Sequence, residues 1–130
     1  MSAHLHHTII PTRDKATSAA YLADILELPP PTADGWFSVV RLDDDVVINY
    51  ADAPADFPPL HFAFMIDHDH FDRLLDRFSA DGTTWWADPQ QRRPHQTGVI
   101  DGIPDGRRMY FLGPERHYYE VITHRYVASP

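Results

Sequence analysis

The sequence predicts an α+β chain built as two βαβββ modules, and three observations carry that expectation. Short alternating runs rich in β-branched and aromatic residues mark strands, and two helical stretches each follow such a run. The order of elements then restarts near residue 60, so that His7 falls on His61 at an offset of 54 residues. The expected organisation is one domain over 1–130, with module one at about 4–53 and module two at about 58–127.

The first strand is read in "HLHHTIIPT" (4–12). "RDKATSAAYLADILEL" follows as a helix, with Ala16, Ala19, Ala20, Ala23, Leu26 and Leu28 at roughly helical spacing, Asp14 or Thr12 as cap, and "PPP" at 29–31 as its stop. "WFSVVRL" (36–42) and "VVINYADA" (46–53) form a hairpin around a solvated "DDD" turn. In the second half, "LHFAFMI" (60–66) is a strand and "DHDHFDRLLDRFSADG" (67–82) an amphipathic helix. Phe71, Leu74, Leu75 and Phe78 form its buried side, and Gly82 ends it. "TTWWAD" reads as a short strand, and "RRMYFL" (107–112) pairs with "HYYEVITHRYV" (117–127) around "GPER". The stretch 89–106 is too polar and too rich in Pro and Gly for a core element, and is expected to be an exposed loop able to act as a lid.

Composition narrows the function. An apolar content of 43% with 12% aromatics supports a folded core. A formal charge of −8 disfavours nucleic acid or an anionic membrane as main partner. With no cysteine there are neither disulfides nor thiolate metal sites. No leader-like start and no run of roughly 18 apolar residues is present, so a soluble cytoplasmic protein is the expectation.

Strand alternation sorts the histidines. Leu5, His7 and Ile9 share one face; His4, His6, Thr8 and Ile10 share the other, so His6 competes with His7 only if the register shifts. His61 shares a face with Ala63 and Met65, opposite Phe62, Phe64 and Ile66. A carboxylate in the middle of "YYEVI" is expensive to bury unless it meets a cation or metal. His4, His68, His70 and His124 are read as solvated, and Arg92, Arg93, Arg107 and Arg108 as solubilising groups or ion pairs that could also bind an anion.

With these pieces in place, the chain resembles the vicinal oxygen chelate superfamily of glyoxalases, extradiol dioxygenases, fosfomycin-resistance transferases and bleomycin-binding proteins. The resemblance covers roughly residues 4–127 and rests on "LHHTIIPT", "PLHFAFMI" and "GRRMYFLGPERHYYEVIT". It implies a curved mixed sheet around a metal and substrate cavity, with His7, His61 and Glu120 as metal ligands. Two histidines and a carboxylate leave positions open for water and substrate, with Fe(II) or Mn(II) favoured and Zn(II) or Ni(II) admissible. Tyr110 matches the tyrosine that hydrogen-bonds substrate or oxygen in the ring-cleaving members.

Departures from the family pattern bear on the chemistry. Asn49 stands where glyoxalase-like members often take a fourth ligand. The acid–base histidine of extradiol enzymes would lie at Asp101, Gly102 or Ile103, leaving Asp101 or His95 to replace it. The family turn usually ends in Gly, whereas Gly113-Pro114-Glu115-Arg116 ends in Arg, which implies a shifted turn. The resemblance therefore implies a metal-dependent dioxygenase or glyoxalase-type lyase chelating a small, aromatic substrate. The other reading is a non-catalytic protein sequestering an aromatic antibiotic in a dimer groove, with Trp36, Trp85, Trp86, Tyr110 and Tyr118 as stacking surfaces. A homodimer, with exchange of modules admitted, is the expected assembly.

Overall fold

The computed structural model describes residues 2–125, so the last part of the expected closing strand, residues 126 and 127, lies outside the described residues. Two compact units divide the chain: one up to Pro58 together with Gly113–Glu115, the other Pro59–Leu112 and the chain from Arg116 onward. Each unit is a βαβββ module carrying one four-stranded mixed sheet.

In the first unit, β1 (His7–Thr12) leads into α1 (Lys15–Ile25), then β2 (Thr32–Asp34), β3 (Phe37–Arg41) and β4 (Val47–Asp52). The order is β1-β4-β3-β2, with β1 parallel to β4 and the rest antiparallel. The Asp14 carboxylate accepts from Thr17 N–H at 3.1 Å and so caps α1. The buried face of α1 is Ser18, Ala19, Leu22, Ala23 and Ile25, which corrects the alanine-based face, because Ala16 and Ala20 are exposed. Alanine is too small to fix a helical phase, and Ser18 is tolerated inside because its hydroxyl is satisfied. It lies 2.7 Å from Thr12 Oγ1 and donates to Glu115 Oε2 at 2.6 Å. The acidic turn holds Asp45 at φ +66°, closed by Leu42 N–H donating to Val46 O.

In the second unit, β5 (His61–Met65), α2 (His68–Asp81), β6 (Gly98–Ile100), β7 (Ile103–Leu112) and β8 (Tyr118–Ile122) give the order β5-β8-β7-β6. Asp67 caps α2 by accepting from His70 N–H, and Gly82 closes it at φ +79°. Phe71, Leu74 and Phe78 bury its apolar stripe, with Leu75 half-buried. Phe78 meets Phe111 at 5.0 Å between ring centroids, and Phe111 lies against Tyr119, fixing one face of β7 and β8 on the helix.

Two expectations are corrected here. The stretch 89–106 is not one irregular loop: β6 and the start of β7 form a hairpin within it, joined by Asp101-Gly102 with Gly102 at φ +78°. An Asp-Gly pair between Ile100 and Ile103 is a two-residue turn signal that outweighs the polar composition around it. "TTWWAD" contributes no strand, only isolated bridges from Trp86 to Pro94 and to Tyr110.

The turn before β8 also departs from its expected course. Arg116 itself takes the left-handed backbone, φ +69°, that a glycine would occupy at no steric cost, and β8 keeps its register with β7. Two substitutions check these turns by urea denaturation. Gly102→Ala meets open space but an unfavourable φ, and is expected to cost about 1 kcal/mol. Arg116→Gly relieves the same strain and is expected to raise stability by up to about 1 kcal/mol.

Candidate functional site

The face of the second sheet turned away from α2 is set by alternation. On β5 it presents His61, Ala63 and Met65; on β8, Tyr118, Glu120 and Ile122; on β7, Arg108, Tyr110 and Leu112. Register places His61 opposite Tyr118, Ala63 opposite Glu120, and Tyr110 opposite Glu120.

Glu120 is 4% exposed, yet among the described residues its one polar side-chain neighbour is His61, whose Nε2 lies 3.0 Å from Glu120 Oε1. The histidine side chain is half exposed, so the pair sits with its carboxylate inside and its imidazole at the rim. Two donors each about 2.1 Å from one ion, and at right angles around it, lie about 3.0 Å apart. The observed spacing and the donor types therefore fit two ligands of one divalent metal. The Tyr110 ring stands 5.7 Å from the His61 ring, tilted by 55°, and Tyr110 is itself buried. Trp86 exchanges both backbone hydrogen bonds with Tyr110 at 2.9 Å, which puts its side chain on the Tyr110 face.

His7 is the first residue of β1, exposed, on the face of its own sheet opposite the buried Ile10 and Thr12. Its Nδ1 is 2.8 Å from Nδ1 of His6, and its ring meets the His6 ring edge-on, so His6 engages one nitrogen and Nε2 is the one left for a ligand role. Asn49 stands opposite Ile9 as Glu120 stands opposite Ala63, so β4 offers an amide where β8 offers a carboxylate.

The other expected substrate residues scatter. Tyr118 borders His61 on the same face. Trp85 is buried on the helix side, stacked on Phe78 at 6.4 Å, and His95 at φ +59° abuts it at 4.7 Å. Asp101 is exposed at the hairpin tip, and seven residues of strand from Ile103 to Tyr110 span about 23 Å, so it does not reach the His61–Glu120 pair of its own chain. Trp36 belongs to the first unit and is 85% exposed beside β3.

A second cluster escapes sequence reasoning. His68, Asp105 and His124 bring ligand atoms within 4.8 Å of one another. His68 Nε2 lies 2.9 Å from His124 Nε2, and His124 Nε2 lies 3.7 Å from Asp105 Oδ2. Arg107 Nε donates to His68 Nδ1 at 3.2 Å, so the hydrogen of neutral His68 is on Nε2, where a metal would need a lone pair. These residues are separated by up to 56 positions, and no local pattern announces them.

Comparison with solved structures gives close likenesses over nearly the whole chain. The chain is 36% identical to a protein described as oxidase ChaP-H1, over 98% of this chain and 100% of that one, with a TM-score of 0.90. It is 38% identical to oxidase ChaP-H2, over 98% of both chains, with a TM-score of 0.89. The fosfomycin resistance protein FosX of Listeria monocytogenes shares the fold at 18% identity, covering 96% of each chain, with a TM-score of 0.71. No family model matches the chain, and no curated protein matches it.

If Glu120 is kept for a ligand and not for stability, Glu120→Leu leaves only a half-exposed imidazole, which can be neutral. The metal-free variant is then expected to be as stable as the wild type or about 1 kcal/mol more stable. Mn(II) is expected to raise the melting temperature of the wild type and not of the variant. A large loss of stability in the metal-free variant would make Glu120 a structural group.

Proposed function

The chain belongs to the vicinal oxygen chelate superfamily, and on that premise we propose that it is a divalent-metal-dependent enzyme acting on a small, aromatic substrate by bidentate oxygen chelation. The observation that carries this reading is the 3.0 Å contact between His61 and the buried Glu120, on one sheet face beside Tyr110. The proposed ligands are His7, His61 and Glu120, with Fe(II) or Mn(II) as the metal. A cytoplasmic homodimer, with exchange of modules admitted, belongs to the same proposal.

When bound, such a metal acts as a Lewis acid toward adjacent oxygens and supports oxygen chemistry. This chain's residues do the rest. Glu120, kept from water, supplies charge to the ion and orients His61 through the register of β5 and β8. Tyr110 places a phenol beside the pair, where it donates to a substrate oxygen as negative charge grows there. Trp86 and Tyr118 flank this face as apolar walls for a planar ligand. The descriptions of the two relatives as oxidases favour oxidation over lyase chemistry, as does Asn49 in place of a carboxylate ligand. The exposed Trp36 is the feature that favours the other reading, sequestration of an aromatic drug without catalysis.

Elemental analysis of untagged protein, purified without oxygen or chelators, tests the assignment. About one Fe or Mn per chain is expected, lost in His7→Ala and His61→Ala and kept in His124→Ala. Metal retained by His61→Ala, or lost only in His124→Ala, would overturn it. A wild type that stays metal-free after reconstitution would turn the reading to sequestration.

A further inference from the structure

Resting on the metal-site reading above, we propose that Arg108 recognises an anionic group of the substrate, so that the ligand of the His61–Glu120 face carries a carboxylate besides its chelating oxygens.

Neighbouring arginines are committed elsewhere. Arg92 Nε donates to Asp88 at 3.1 Å. Arg107 donates to Asp72 at 2.8 Å and to the His68 carbonyl at 3.1 Å, with its guanidinium 4.4 Å from the Phe71 ring centroid. Arg108, the next residue on β7, projects to the opposite face, the one that holds Tyr110 and Glu120. Its guanidinium carbon lies 5.9 Å from the Tyr110 ring centroid. Its Nε is fully buried and has no hydrogen-bond partner among the described residues, and no carboxylate pairs with it among them.

The sequence makes room for this placement. Gly98 faces Arg108 across β6 and β7, and a Cβ there would stand 3.2 Å from Arg108 Cγ and 3.3 Å from its Nε. The same Cβ would stand 2.7 Å from the Ala87 carbonyl oxygen, so a side chain here would clash with the Ala87 backbone as well as crowd the arginine stem. A guanidinium drawn out of water with a donor unmatched is costly unless something anionic completes it. Its planar fork fits a carboxylate in two parallel hydrogen bonds, which a lysine does not reproduce. In a chain of formal charge −8, a half-buried guanidinium beside the site selects an anion against the overall field.

Anaerobic calorimetric titration of the Mn(II)-loaded full chain with 3,4-dihydroxybenzoate and with catechol tests this. The wild type is expected to bind the carboxylated probe about 10-fold tighter or more. Arg108→Gln is expected to bring the two probes level, read as the ratio of their affinities in the same protein, and Arg108→Lys, which keeps stem and charge, to retain part of the preference. Equal affinities in the wild type, no binding of the carboxylated probe, or a preference that survives in Arg108→Gln would overturn the proposal. His61→Ala separates the two readings: catechol affinity unchanged there would defeat the metal site, whereas a metal-dependent affinity without carboxylate preference would defeat only the role of Arg108.

Discussion

A carboxylate held inside a sheet is the constraint on which the rest of the second module turns. Glu120 sits in β8 between β5 and β7, and both neighbours are in register to receive it: Ala63 on one side, Tyr110 on the other. Ala63 is small enough to leave the His61 ring free to lean over to Glu120 Oε1. Burying an ionised group is expensive in an apolar fold and is kept only where a partner or a function offsets it. The opposite faces of the same strands show the ordinary solution, with Met109, Phe111, Tyr119 and Val121 packed toward α2. Sheet alternation thus separates an apolar face packed on the helix from one that carries His61, Glu120 and Tyr110.

The two modules repeat one topology with unequal chemistry. Both pair their first and last strands in parallel, and both place a histidine at the start of the first strand. Only the second module adds the carboxylate; the first carries Asn49 at the matching register position. An amide is a weak metal ligand and no base, so the repeat does not make two equivalent half-sites. The same asymmetry continues on β7, where Arg107 serves the helix side through Asp72 and Phe71 while Arg108 is left on the face of Tyr110. Adjacent residues of one type therefore have different tasks, divided by the pleat.

Much of this was legible in the sequence because the period of two is strong where strands are half buried. The parity of His7, His61 and Glu120, a cap at Asp14 or Thr12, and the Gly82 stop all follow from local rules. What was not legible depended on small residues or distant partners. Alanines gave α1 the wrong buried face, since Ser18 goes inside only when Thr12 and Glu115 meet its hydroxyl. The β6–β7 hairpin lay under polar composition although its Asp-Gly turn was in view. Trp85 and Trp86 looked alike as aromatic walls, yet pairing of Trp86 with Tyr110 sends Trp85 into the core. The grouping of His68, Asp105 and His124 required the fold itself.

The central claim is that His61 and Glu120 are two donors of one metal centre, and anomalous diffraction from crystals of the Mn(II)-loaded protein tests it most directly. The expected result is a single strong peak about 2.1 Å from both His61 Nε2 and a Glu120 oxygen. A peak at His68, Asp105 and His124, with His61 still hydrogen-bonded to Glu120, would contradict the claim.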